Sequence, residues 1–360
     1  MARVLVVDDS ALMRRLLVQV LEGAGYEVKT ARTGAEAVSE LMAWLPDAIT
    51  LDINMPEMDG LTALSLIMSA RPTPVVMVSS LTEQGALATF EALALGAVDF
   101  ITKPGGTISL TIDDIKVQLL EKVKAALRAR PALSAKRRPM GASRPPSPTP
   151  APARSSGSPG ALAPRPAVLG TTGVVLIGVS TGGPRTLEDI LPPLPASFPW
   201  PIVVAQHMPP NFTNAFAQRM DRLCNLRVRE VTAPCPLEPG NVYIGRGGGD
   251  VVIAERLGRP TVMPKPETPG HPWHPSVDVL VESAMKLYKP DKMVGVLLTG
   301  MGNDGAEQMS RMHRQGSRTI AESQASCVVF GMPHELIQKG GASVVLPSSD
   351  IAEQLQSWLG

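Results

Sequence analysis

Over the first 127 residues the hydrophobic pattern changes period again and again. Residues 4–7 form an apolar run that stops at Asp8-Asp9-Ser10, and Leu12, Leu16, Leu17, Val20 and Leu21 then recur at the spacing of one helical face. The same alternation predicts strands over 26–30, 48–52, 74–79 and 98–101, and helices over 34–43, 60–70, 83–95 and 112–127. Strands that alternate with helices imply a parallel sheet covered on both faces, with chemistry placed beyond the carboxyl ends of the strands.

The periodicity stops over residues 128–171, where Pro, Ala, Ser and Gly dominate. Such a stretch is expected to be a disordered, partly polyproline-like linker, with a span of roughly 35 Å or more. Beyond it the apolar run 174–179 leads to Ser180-Thr181-Gly182-Gly183-Pro184, the pattern of a buried strand that delivers a serine to a tight turn before a helix. A second strand over 202–205 ends in Gln206-His207-Met208, and short β-like pieces follow near 228, 242–244, 251–253 and 261–263. A helix is predicted over 276–287, and a strand over 293–298 that runs into Thr299-Gly300-Met301-Gly302-Asn303-Asp304, with Asp304 at the start of the next helix.

Composition narrows the class. A chain of 360 residues, 44% hydrophobic, has room for two domains with real cores, and no apolar run reaches the length of a membrane span. The N-terminus goes directly into a strand and turns acidic, so no signal peptide is expected and the chain reads as cytoplasmic. Three cysteines (Cys224, Cys235, Cys327) without metal-ligand spacing read as reduced structural thiols. The net charge of +1 hides an asymmetry: Arg128, Arg130, Lys136, Arg137, Arg138, Arg144, Arg154 and Arg165 lie in the linker with no acid, which leaves −7 on the folded parts. These charges read as a solvated spacer or a tether for acidic surfaces. Without aromatics or a recognition helix they do not suggest nucleic-acid binding.

Two groups of residues carry candidate chemistry. Asp8, Asp9 and Asp52 fall at strand ends, where each alone would be a turn or cap residue. Three carboxylates on one edge repel one another unless a hard cation such as Mg²⁺ lies between them, and Lys103 beside them would pair with an anion on that cation. In the second half Ser180, His207 and Asp304 come to one sheet edge. Serine needs a base to take its proton, and the base needs a carboxylate to fix its tautomer. Backbone N–H groups near Thr181 and in the Gly300-Met301-Gly302 turn would face a developing oxyanion. From the residues alone His271, His274, His313 and His334 remain rival bases, the close His271/His274 spacing suggests a weak metal site, and Asp304 reads first as an N-cap.

Val-Val-Asp-Asp-Ser, Leu-Asp-Ile-Asn-Met-Pro-Glu-Met-Asp-Gly and Phe-Ile-Thr-Lys-Pro resemble the receiver domain of two-component response regulators. The resemblance implies that a histidine kinase phosphorylates Asp52, that Asp8, Asp9, Asp52 and the carbonyl of Asn54 hold Mg²⁺, and that Lys103 and Ser79 sense the phosphoryl group, with Ser80 an alternative to Ser79. Gly-Val-Ser-Thr-Gly-Gly-Pro, Gln-His-Met-Pro-Pro-Asn-Phe-Thr, Pro-Ser-Val-Asp-Val-Leu and Leu-Thr-Gly-Met-Gly-Asn-Asp-Gly-Ala resemble the catalytic domain of the chemotaxis protein-glutamate methylesterases, the CheB family. This second resemblance implies Ser180 as nucleophile, His207 as base, Asp304 as orienting carboxylate, and Thr181 and Met301 at the oxyanion hole, with no cofactor in the catalytic part.

The expected architecture is α/β, with two doubly wound parallel-sheet domains. These are a flavodoxin-like receiver over 1–127 and a Rossmann-like methylesterase domain over 172–360, joined by the linker over 128–171. The implied activity is phosphorylation-activated hydrolysis of glutamate methyl esters, and deamidation of glutamines, on cytoplasmic chemoreceptor helices. The implied molecule is a monomer without membrane insertion or nucleic acid, whose receiver covers the Ser180 edge until phosphorylated. Rival readings are the same hydrolysis in another sensory pathway and a catalytically silent receptor-binding regulator.

Overall fold

The computed structural model describes residues 1–80, 82–103, 112–128 and 173–359. In the first part β1 (Arg3–Val7), α1 (Ala11–Gly23), β2 (Glu27–Ala31), α2 (Gly34–Trp44), β3 (Ala48–Asp52), α3 (Gly60–Ala70), β4 (Val75–Ser79), α4 (Glu83–Leu95), β5 (Asp99–Thr102) and α5 (Ile112–Arg128) follow one another as predicted. The five strands are parallel in the order β2-β1-β3-β4-β5. Every residue of β3 and β4 is buried, which is why these strands read as continuous runs rather than alternating ones. Ser10, Thr33, Asp59 and Thr82 each accept a backbone N–H three residues on and so start α1, α2, α3 and α4. The predicted disordered linker lies outside the described residues, apart from Arg128, which closes α5.

The second part contains β6 (Val174–Val179), α6 (Gly183–Ile190), β7 (Ile202–Gln206), α7 (Pro210–Leu223), β8 (Arg227–Val231), β9 (Cys235–Pro236), β10 (Asn241–Gly245), β11 (Asp250–Arg256) and β12 (Arg259–Lys265). It continues with α8 (Val277–Met285), β13 (Met293–Leu297), α9 (Ala306–Arg314), β14 (Arg318–Glu322), α10 (Met332–Gln338), β15 (Val344–Leu346) and α11 (Ser348–Leu359). Seven parallel strands pair in the order β15-β14-β13-β6-β7-β10-β8. The sheet is doubly wound about β6, but β10 inserts between β7 and β8 where a simple Rossmann order would pair them directly. The β-like pieces at 251–253 and 261–263 belong to a separate antiparallel sheet, β11-β12-β9, whose hairpin turns at Leu257 and Gly258, both with positive φ.

One buried cluster runs from the first sheet into the second. Phe90 of α4 lies 6.3 Å from Phe212 and 5.5 Å from Phe216, both on α7, and Phe100 of β5 stacks on Phe212 at 4.5 Å between ring centroids. These four rings are all buried, and α4 also touches α6. The first part therefore packs on the two helices that leave the Ser180 and His207 turns, on the flank of the expected Ser180 edge. No helix among the described residues is long and apolar enough to cross a membrane.

Candidate active site

Three parallel strands that pair side by side carry the second constellation. β6 lies between β13 and β7, so Ser180, His207 and the 299–304 turn all leave the same carboxyl edge. The Ser180 N–H donates to the Thr299 carbonyl (2.9 Å), and the His207 N–H donates to the Val179 carbonyl (3.0 Å). Gly300 has no side chain for a reason: a Cβ there would fall 2.6 Å from the Ser180 Cβ.

His207 Nε2 lies 2.8 Å from Asp304 Oδ2. Its other ring nitrogen, Nδ1, is buried and has no partner among the described residues. Asp304 is 3% exposed and surrounded by donors. Its Oδ2 also accepts the Val277 N–H (2.6 Å), while Oδ1 accepts the Ser276 hydroxyl and the Asp278 N–H, both at 3.0 Å. Burial works to raise Asp304, but His207, by hydrogen bond and charge, and the two N–H groups outweigh it and hold the carboxyl below the usual range. The N-cap reading of Asp304 fails on geometry. Gly305 precedes α9, and the Asp304 carboxylate caps the N-terminus of α8 instead.

Three of the four rival histidines are engaged elsewhere. His274 Nδ1 lies 2.9 Å from the buried Asp250, His313 meets Ser317, Thr319 and Ser343, and His334 packs on Phe330. His271 Nδ1 lies 3.3 Å from Ser276 Oγ and joins Asp278 and Asp304 in one cluster, so it does not form the suggested pair with His274. The N–H groups of Thr181 and Met301 have no hydrogen-bond partner among the described residues, as an oxyanion site requires. The Ser180 hydroxyl likewise has no partner there, and the serine–histidine contact is open.

Several contributors carry no sequence signal of their own. Trp273 lies parallel to the His207 ring at 5.7 Å, in the loop that also places His274 and Ser276. Glu322, fully buried at the end of β14, accepts the Thr299 N–H at 2.7 Å and the Ser326 hydroxyl at 2.8 Å. Burial raises its carboxyl. Thr299 donates from its side chain to the Thr181 carbonyl (2.9 Å), which ties the two turns together. Such roles rest on contacts across 23 to 118 residues and cannot be read from local pattern.

At the edge of the first sheet Asp8, Asp9 and Asp52 bring carboxylate oxygens within 4.8 Å of one another. Lys103 Nζ lies 2.7 Å from Asp52 Oδ2 and 3.1 Å from Asp8 Oδ2. Burial raises the Asp52 carboxyl against the opposing pull of Lys103. Burial works to lower Lys103, but Asp52 and Asp8 carry it above the usual lysine value. Three carboxylates facing one ammonium leave negative charge in excess, and their clustered oxygens fit a hard divalent cation. The Asn54 N–H lies 3.3 Å from Asp52 Oδ1. Ser79 is fully buried and turned toward α4, where it donates to the Gly85 carbonyl (3.1 Å) and meets the Thr89 hydroxyl (2.8 Å). Ser80 instead contacts Thr82 Oγ1 at 3.1 Å on the exposed side.

Comparison with known proteins matches residues 175–355 to the CheB methylesterase family and residues 4–113 to the response regulator receiver domain. A protein from Rhodospirillum rubrum named protein-glutamate methylesterase/protein-glutamine glutaminase 3 is 56% identical over 100% of this chain and 96% of its own length. One from Rhodopseudomonas palustris with the same activities in its name is 49% identical over 99% and 98%. Among solved structures, the Thermotoga maritima CheB methylesterase catalytic domain aligns at a TM-score of 0.50 and 40% identity, over 52% of this chain and 98% of that one.

Proposed function

This chain belongs to the CheB methylesterase family, and from that footing we propose that it is a phosphorylation-controlled serine hydrolase acting on glutamate methyl esters, and by deamidation on glutamines, of chemoreceptor cytoplasmic helices. The observation that carries the reading is the His207–Asp304 pair on the same strand edge as Ser180, with the buried Nδ1 of His207 left over for the serine proton.

Ser180 Oγ attacks the ester carbonyl carbon as its proton passes to His207 Nδ1, and Asp304 at Nε2 stabilises the imidazolium. The carbonyl oxygen, now anionic, accepts the Thr181 and Met301 N–H groups, each such donor being worth about 2.7–4 kcal/mol in comparable sites. The carbon–oxygen bond breaks, His207 returns the proton, and methanol leaves. Water, losing its proton to His207, then attacks the acyl-serine; the acyl–Oγ bond breaks, His207 passes that proton to Ser180 Oγ, and the glutamate is released. An amide passes through the same tetrahedral intermediate with ammonia leaving.

In the receiver, Asp52 is the phosphoryl acceptor from a histidine kinase. Asp8, Asp9 and Asp52, with the Asn54 carbonyl, would hold Mg²⁺, which when bound neutralises phosphoryl oxygens. Lys103 passes from the carboxylates to the phosphoryl group, and the Ser79 hydroxyl leaves α4 for it. Because α4 packs on α6 and α7, a shift there reaches the helices beyond Ser180 and His207.

The test is methanol release from methylated receptor membranes by the full chain, with and without acetyl phosphate and Mg²⁺. Ser180→Ala is expected to abolish release, and Asp52→Asn to keep the basal rate but lose stimulation. Release by Ser180→Ala would overturn the nucleophile, and stimulation of Asp52→Asn the switch. Receptor binding by the wild type without any release would favour the silent regulator.

A further inference from the structure

Gln206 closes β7 and is 1% exposed, yet its side chain does not pack as filler. Its Nε2 donates to the Ser180 carbonyl at 3.0 Å and to the His207 carbonyl at 3.1 Å, which uses both amide hydrogens. Its Oε1 is buried with no partner among the described residues. Burying an unpaired acceptor is unfavourable, so the amide is held there by what its nitrogen does.

The position explains the need. The β6–β7 ladder ends at the Val179–Gln206 pair, with one further bond from the His207 N–H to the Val179 carbonyl. Beyond it the two chains part, Ser180 toward α6 and His207 toward α7, and backbone alone cannot bridge them. We propose that Gln206 is a positioning residue whose side-chain amide replaces the missing rung and holds the Ser180 and His207 turns in one frame. This rests on the reading of Ser180 as nucleophile and His207 as base. Gly183 is shaped to it: its N–H donates to the same Ser180 carbonyl (2.8 Å), and a Cβ there would lie 2.2 Å from Gln206 Oε1. With the Ser180 N–H tied to Thr299 on the other side, the nucleophile's backbone is pinned to both neighbouring strands.

The test compares full-length wild type, Gln206→Met and Gln206→Glu. The readouts are the rate at which a fluorophosphonate probe modifies Ser180, kcat and KM for methanol release, and Tm to normalise for folded protein. Methionine fills the same volume but donates nothing, whereas a buried, neutral glutamic acid still offers one O–H. The expected order is wild type, then Glu, then Met, with Met about 10- to 100-fold slower in labelling and kcat and KM unchanged. A filler role predicts the reverse, with Met at the wild-type rate and Glu impaired, and that result overturns the proposal. Gly183→Ala keeps the amide but displaces it, so labelling at the wild-type rate in this variant also overturns the role. Absence of Ser180-dependent labelling in the wild type, judged against Ser180→Ala, would overturn the catalytic reading itself and Gln206's part with it.

Discussion

Asp304 and Asp278 face the same helix N-terminus with opposite tendencies. Asp304 collects the donors, while burial first, and then the Asp304 charge, pushes Asp278 up to about 6. An unfolded aspartate titrates at about 3.9. Between these values the folded chain holds a proton that the unfolded chain has released, so stability is lost as pH rises through that window. Asp278→Asn has no such proton, and its Oδ1 still accepts the Gln308 N–H. We expect the variant to gain on wild type between about pH 4 and 6 and to be more stable at pH 7 by about 1 kcal/mol, short of full linkage because the carboxyl keeps some water. Urea titrations across that range check this. A pH-independent difference would sink it.

Among the elements, α4 and α7 meet through rings, and α7 begins three residues after His207. Phe90→Ala removes the ring that faces both Phe212 and Phe216, which weakens the hold of the receiver on that helix. Methanol release without a phosphodonor should then rise several-fold toward the phosphorylated rate. An unchanged basal rate in a folded variant would mean that this contact does not restrain the site. The strands and helices that carry the site residues were legible because buried parallel strands are continuous apolar runs and their ends are polar. Ser180, His207 and Asp304 could be placed at strand ends on that ground. The β11-β12-β9 sheet, the insertion of β10 and the α4–α7 contact could not, because pairing partners and helix faces are chosen by distant residues. Gln206, Trp273, Ser276 and Glu322 were hidden for the same reason: each is an ordinary polar or aromatic residue until the fold sets it against Ser180, His207, Asp304 or Thr299.

For the whole molecule, a core that passes through four phenylalanines is expected to couple the stability of the two sheets. Mg²⁺ that binds only the folded receiver adds about 2.7 kcal/mol at a hundredfold excess over its Kd. Trp44 lies in the receiver, and Trp200, Trp273 and Trp358 lie in the second part. In a Trp44→Phe chain, tryptophan fluorescence excited where Tyr26 does not absorb therefore reports the second part alone. Its melting transition is expected to rise with Mg²⁺ and to lose that rise in Asp8→Asn. A transition indifferent to Mg²⁺, with the receiver itself stabilised, would show that the sheets unfold separately.

The stack of Phe100 on Phe212 also bears on how interchangeable the parts are. A receiver grafted from another signalling protein, without aromatic side chains at 90 and 100, would leave Phe212 and Phe216 uncovered. Such a chimera gains an adhesive surface on α7, the helix that follows the His207 turn, and should clump or bind detergent before it can be assayed. On that expectation the receiver would serve the second part as a cover for its phenylalanines as well as a regulator.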